Sequence, residues 1–135
     1  TDLAAAVAAA DVVSSATLAT APLVQGAWLQ PGSHLDLIGS FTPAMREADD
    51  GCFAGAALYV DTHEALAKSG DLLGPLARGV FSAADVQGTL ARLARGEVPG
   101  RSSTTQRTVF KSVGTALEDL AAAMLVCGIT PPATG

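Results

Sequence analysis

The sequence predicts an α/β fold: an incomplete doubly wound parallel sheet followed by a C-terminal helix. Three observations predict it. Short apolar, β-type runs at 12–16, 35–38, 56–60 and 107–110 alternate with segments of helical spacing, the pattern of strand–helix–strand crossovers. The paired valines of the first run, Val12 and Val13, lack polar alternation, as in a strand buried on both faces. Glycine and proline mark the ends of several of these segments, at Pro31-Gly32, Gly39, Gly70 and Gly96.

Taken in order, Asp2 is placed to cap a short helix running to Ala10. Val12–Ala16 is the first strand, and Thr17–Pro22 is loop. Gln30-Pro31-Gly32 is a turn, and Leu35–Ile38 forms a strand ending at Gly39. Pro43 at a helix start, followed by Glu47, Asp49 and Asp50, predicts a short polar helix. Ala56–Val60 is the third strand. Thr62 caps a helix through Ser69, with Glu64 and Lys68 one turn apart and Gly70 as its stop.

Ser82-Ala83-Ala84-Asp85 resembles a capping box, opening a helix with Val86, Leu90 and Leu93 as its buried stripe. Arg92 and Arg95 suit its C-terminus, and Gly96 closes it. Pro99–Thr105 is a polar loop, and Arg107–Phe110 is the last strand. Ser112 is read as the N-cap of the final helix, where Val113, Leu117, Leu120, Met124 and Cys127 share one face. The tail after Thr130, Pro-Pro-Ala-Thr-Gly, is read as disordered.

Composition narrows the function classes. At 135 residues the chain is long enough for one domain with a real core. Eight basic residues are scattered among thirteen acidic ones, and only six aromatic residues occur, so no nucleic-acid surface is indicated. No apolar run reaches membrane-spanning length, and no basic-apolar secretory segment opens the chain. The expectation is a cytoplasmic protein with no membrane partner. Cys52 and Cys127 lack metal spacing and are read as two reduced thiols. No metal cluster is visible.

Open parallel sheets bind ligands beyond the carboxyl ends of their strands. That rule selects three segments: Thr17–Thr20, Gly39–Thr42 and the Lys111–Val113 junction. Gly39 allows close approach of backbone to a ligand, or is a plain turn. Thr17 sits among small residues and contacts a ligand, or bonds its own backbone. Ser112, with free N–H groups beside it, suits an amide or anionic group, or is an ordinary cap. Other candidates read more plainly. His34 is a polar residue at a strand start and His63 is solvated. Asp71 caps or braces a loop, and Trp28 anchors packing. Arg46 pairs with Glu47 or, as a second choice, holds a substrate carboxylate. Lys111 is read as solvated.

Particular stretches add more. Arg107–Ala123 contains Phe-Lys-Ser-Val-Gly followed by Leu-Glu-Asp-Leu-Ala-Ala-Ala. This stretch resembles the C-terminal signature of the ornithine cyclodeaminase/μ-crystallin family. Gly26–Phe41, Pro43–Asp50, Tyr59–Thr62 and Ser69–Leu72 resemble further family segments in the same order. Members are nicotinamide-dependent enzymes acting on cyclic imines and amino acids. They are longer, and carry a substrate domain and a glycine-rich dinucleotide fingerprint ahead of the part matched here. No Gly-x-Gly-x-x-Gly occurs in this chain. The resemblance therefore implies that 1–110 is the second part of a Rossmann-type NAD(P)-binding domain. It implies that 111–135 carries a helix returning toward a substrate domain outside the chain.

The resemblance also implies roles. Thr17 matches a cofactor-contacting residue. Leu35, Asp36, Leu37, Ile38 and Gly39 match the strand beside the adenosine-to-nicotinamide path. Ser112 matches a residue near the nicotinamide carboxamide, and Val113 one that faces the substrate. NAD or NADP is the implied cofactor, and a homodimer the implied assembly. One departure is chemical. Cyclodeaminases carry an acid/base aspartate two residues beyond the glycine matching Gly39, and this chain has Phe41, which cannot move a proton. A family lysine is likewise replaced by Met45. Gly-Ser-Phe-Thr-Pro-Ala-Met-Arg-Glu (39–47) instead resembles the ketimine reductase and μ-crystallin branch, which reduces Δ1-pyrroline-2-carboxylate and Δ1-piperideine-2-carboxylate. Three readings stand at this point: a cyclic imine reductase, a binding protein without turnover, and a cyclodeaminase or amino-acid dehydrogenase using an acid elsewhere.

Overall fold

The computed structural model describes residues 2–129. Its centre is a five-stranded sheet: β1 (Val12–Ser15), β2 (His34–Leu37), β3 (Ala57–Val60), β4 (Val86–Thr89) and β5 (Thr108–Lys111). Every pairing is parallel and the spatial order is β1-β2-β5-β3-β4. The last strand in the chain is thus the middle strand in space. Val109 stands opposite Leu35 on one side and Leu58 on the other. The described residues also form six α-helices: α1 (Leu3–Ala8), α2 (Asp50–Phe53), α3 (Ala65–Lys68), α4 (Gly70–Ala77), α5 (Leu90–Ala94) and α6 (Ala116–Val126).

Strand alternation divides the side chains between two faces. Leu35, Leu37, Leu58, Val60 and Val109 enter one core with Val7 of α1, Cys52 and Phe53 of α2, Ala65 of α3 and Leu72 of α4. Phe53 and Phe81 meet there with ring centroids 5.9 Å apart. Each fully buried leucine contributes about 2 kcal/mol relative to exposure, so this layer dominates stability. The other face carries His34, Tyr59, Thr108 and Phe110. With Leu90 and Leu93 of α5 and the Gly100–Arg101 loop, these line an open, largely apolar cavity of about 310 Å³. Helical cover on both sides matches the doubly wound architecture expected from the sequence.

Several local readings are corrected. The segment after Ser82 is not one helix. Ser82–Asp85 does form its capping box, with Asp85 accepting from the Ser82 amide at 2.7 Å and hydroxyl at 2.8 Å. That box caps a single 3-10 turn, and Val86–Thr89 then leaves as β4 beside β3. Valine, glycine and threonine are weak helix formers, and the open edge of β3 offers them ladder hydrogen bonds. Thr89 caps a shorter helix, α5, which ends before Gly96 as expected.

Residues 43–49 form turns and an extended segment, not a polar helix, because Glu47 is drawn inward. Gly70 opens α4 and does not stop α3. A Cβ there would collide with the backbone carbonyls of Pro43 and Met45, so glycine permits this close crossing. The final helix starts later than predicted. Thr115, not Ser112, is its N-cap, in a reciprocal capping box with Glu118. None of its residues is buried, and Leu117 and Val126 are 74% and 87% exposed. The Glu64–Lys68 pair forms as expected. The tail read as disordered lies outside the described residues.

Candidate functional site

The carboxyl ends of β1, β2, β5 and β3 are tied together by buried acids. Glu47 is the first, with no solvent exposure. Its Oε1 accepts from the Ser15 hydroxyl at 2.8 Å, the Thr17 amide at 2.5 Å and the Thr17 hydroxyl at 2.8 Å. Its Oε2 accepts from the Gly39 amide at 2.7 Å. Burial alone would push this carboxyl up. The donors from Thr17, Ser15 and Gly39 outweigh burial and hold it below the usual glutamate range. One side chain thus fixes the loops after β1 and β2 against each other. Gly39 belongs to the same contact, since a Cβ there would strike the Thr17 backbone.

Asp71, at the start of α4, holds Glu47 from behind. Its Oδ1 accepts from the Glu47 and Ala48 amides at 2.8 and 3.0 Å. Its Oδ2 faces Lys111 Nζ at 3.6 Å, and both side chains are fully buried. Neither of those two atoms has a hydrogen-bond partner among the described residues. Burial pushes the Asp71 carboxyl up and the Lys111 ammonium down, each against the pull of its partner. Lys111 is therefore an internal ionisable group, correcting its reading as solvated. On β5 it lies on the same face as Val109, so strand alternation turns it into the core. Ser40 completes the brace. Its hydroxyl donates to the Met45 carbonyl at 2.7 Å and accepts from the Asp71 amide at 3.2 Å.

Asp61, directly after β3, organises the loop beyond β5. Its Oδ2 accepts from the Ser112 hydroxyl at 3.0 Å and the Val113 and Gly114 amides at 2.7 and 2.8 Å. Its Oδ1 accepts from the Thr62 amide at 2.6 Å. Gly114 turns the chain with φ of 78°. The Ser112 amide donates to the Leu37 carbonyl at 3.0 Å, which ties this turn to the end of β2.

The structure brings Thr17 and Gly39 together through Glu47, and Ser112 and Val113 together through Asp61. Leu35 and Leu37 point into the core, and Asp36 points to the opposite face, where it accepts from Ser14 at 2.8 Å. Of that strand, Ile38 and Gly39 reach the carboxyl edge. Ile38 and Phe41 there are 41% and 46% exposed, and Leu18 beyond β1 is 71% exposed. Apolar surface and hydrogen-bonding loops therefore share one end of the sheet. Arg46 does not pair with Glu47. It pairs with Asp50, which Arg78 also binds. His34 lies at the other end of the strands, its Nδ1 2.8 Å from Thr108 Oγ1, and its basicity is lowered by burial. Cys52 is sealed, its thiol pushed up to about 12 by burial and by Asp49.

Asp71 braces a loop as its sequence reading had it, whereas the inward roles of Glu47, Asp61 and Lys111 are what sequence reasoning missed. A lysine two residues after a core valine on a strand, and an aspartate directly after the all-apolar run 57–60, were signals of inward polar groups. Glu47 gave none, because its segment has no periodicity. Among the described residues no cluster of three metal-binding side chains occurs, and no helix is long and apolar enough to cross a membrane.

Comparison with known proteins agrees with this geometry. The chain is 47% identical over 129 residues to Δ1-pyrroline-2-carboxylate reductase of Paracoccus denitrificans, covering 95% of this chain and 41% of that protein. It is 43% identical over 122 residues to mouse ketimine reductase μ-crystallin, covering 90% of this chain and 36% of that protein. Among solved structures, Thermococcus litoralis Δ1-pyrroline-2-carboxylate reductase in complex with NADH and L-proline superposes with a TM-score of 0.86 at 32% identity. That match covers 93% of this chain and 41% of the solved one. The chain thus spans about two-fifths of the length of these relatives. The model of the ornithine cyclodeaminase/μ-crystallin family matches residues 1–128, and together with the shared parallel sheet this establishes that the chain belongs to that family.

Proposed function

We propose that this chain forms the nicotinamide-side portion of an NAD(P)H-dependent reductase of small cyclic imino acids such as Δ1-pyrroline-2-carboxylate. The observation that carries the reading is its likeness, over nine-tenths of its length or more, to two reductases of this chemistry. The carboxyl end of the sheet fits the cofactor's requirements. Thr17, Ile38, Gly39 and Ser112 would hold it, with Ile38 offering an apolar surface to a flat ring and Ser112 a hydrogen-bonding group to an amide. Val113, held by Asp61, would face the substrate. The described residues contain no Gly-x-Gly-x-x-Gly phosphate loop.

A reduced nicotinamide held there by Thr17, Ile38, Gly39 and Ser112 would supply hydride chemistry for a C=N bond. The chain's own residues bind and orient. Glu47, Asp71 and Lys111 are sealed from solvent and exchange no proton with a substrate; they hold the loops. Phe41 occupies the exposed place where the family resemblance implies an acid/base aspartate. Cyclodeamination needs repeated proton transfers at that place, whereas reduction of an iminium that arrives protonated needs none there.

The test is to place Asp at Phe41 in the complete gene product and assay both reactions beside the unmodified protein. The unmodified protein should reduce the five- or six-membered cyclic imine with NADH or NADPH, and should convert ornithine to proline negligibly. Efficient ornithine turnover would contradict the reading. Reduction of neither imine would favour the binding-protein alternative.

A further inference from the structure

Ser112 is the hydroxyl that the proposed function sets beside an amide, and the structure settles which way its hydrogen bonds run. A serine hydroxyl has one proton and two lone pairs. A carboxylate only accepts, so the proton of Ser112 goes to Asp61 Oδ2 at 3.0 Å. One lone pair takes the longer arm, 3.2 Å, of the Gly114 amide, which Ser112 shares with Asp61 Oδ2 at 2.8 Å. The remaining lone pair is all that Ser112 can offer a ligand. Asp61 cannot turn away to release that proton. It is 4% exposed, and its two oxygens also receive the backbone amides of Thr62, Val113 and Gly114.

We propose that Asp61 is a positioning residue that makes Ser112 an obligate hydrogen-bond acceptor, so that the site selects a ligand group carrying an N–H donor, the carboxamide NH₂ of a nicotinamide. This rests on the cofactor reading above and adds the polarity of the contact. A ligand with a carbonyl but no N–H at that place meets a lone pair and gains nothing.

Two ligands isolate the effect. The reduced 3-acetylpyridine analogue of NADH replaces the carboxamide by a methyl ketone, which keeps the carbonyl and removes the NH₂. ADP-ribose lacks the ring and reports the rest of the cofactor site. Dissociation constants are measured on the complete gene product and its variants. The unmodified protein should bind NADH over the acetylpyridine analogue by roughly three- to tenfold, the worth of one hydrogen bond. Ser112→Ala should bring the ratio near one, because Asp61 still holds the turn through Val113 and Gly114. Asp61→Ala should do the same by freeing the Ser112 proton. Asp61→Asn should keep most of the preference, since its carbonyl oxygen can still face the Ser112 hydroxyl and the Val113 and Gly114 amides, at the cost of the Thr62 amide alone. ADP-ribose affinity should hold across the series.

A ratio unchanged in Ser112→Ala overturns the inference alone. So does an Asp61→Ala variant that weakens ADP-ribose and both dinucleotides equally, which is the mark of a purely structural residue. An unmodified protein that binds neither NADH nor ADP-ribose overturns the cofactor reading, and this inference with it.

Discussion

Glu47 accepts four hydrogen bonds without seeing solvent, and that makes its charge irreplaceable in place. Glu47→Gln would aim an NH₂ at one of those donors. The expected loss is about 2–3 kcal/mol of stability, read by urea denaturation, with Thr17 and Gly39 loosened together. Lys111 and Asp71 obey a different rule. Removing one member of a buried pair strands the other, so Lys111→Met should cost about 3 kcal/mol. Lys111→Met with Asp71→Asn should cost less than Lys111→Met alone, because the side-chain amide that replaces the carboxylate keeps an oxygen for the Glu47 and Ala48 amides. A double variant as unstable as the sum of its parts would contradict the pairing. Acid sensitivity follows from Asp50. The Arg78 hydrogen bond, with help from Arg46, lowers its carboxyl from 3.8 to about 2. A folded-state value depressed in this way adds stability at pH above about 4, and that share is lost as pH falls toward 2. Asp50→Asn should flatten the stability–pH curve in that window, and an unchanged slope would remove the Arg46–Asp50–Arg78 cluster from the account.

The elements differ in how firmly they are held. β5 is paired on both sides and lined by buried Val109 and Lys111, whereas α6 buries none of its residues. Amide hydrogen exchange of the chain as it stands should be slowest in β2 and β5 and fastest in α6. Equal protection would show that α6 packs more tightly than its exposure indicates. The same contrast explains what the sequence revealed. β1, β2, β3 and β5 were legible because each is a short apolar run bounded by turn residues. β4 was not, because Val86–Thr89 borrows its strand character from the neighbouring β3 edge and not from its own residues. Ser112 passed for a helix cap because serine before apolar spacing looks the same whether it caps a helix or, as here, a turn held by Asp61. The loops at the carboxyl ends were legible from the parallel-sheet rule alone. The carboxylates that hold them were not, since their partners are distant in the chain: Ser15 is 32 residues from Glu47, and Val113 is 52 from Asp61.

For the molecule as a whole, apolar surface and assembly are linked. Val12 on edge strand β1 is 62% exposed, and Leu117, Leu120, Leu125 and Val126 on α6 are exposed together. Patches of this kind bring molecules together in solution. The chain by itself should therefore self-associate in light scattering. Leu117→Glu with Leu125→Glu should reduce that association, and a monodisperse monomer without these changes would contradict the expectation. The proposed reductase chemistry is read by steady-state oxidation of a reduced nicotinamide cofactor by the complete gene product, with Δ1-pyrroline-2-carboxylate or its six-membered homologue as substrate. Substrate-dependent oxidation of NADH or NADPH with the cyclic amino acid as product is the expected result; no oxidation above background with either imine, beside rapid conversion of ornithine to proline, would overturn the reductase reading.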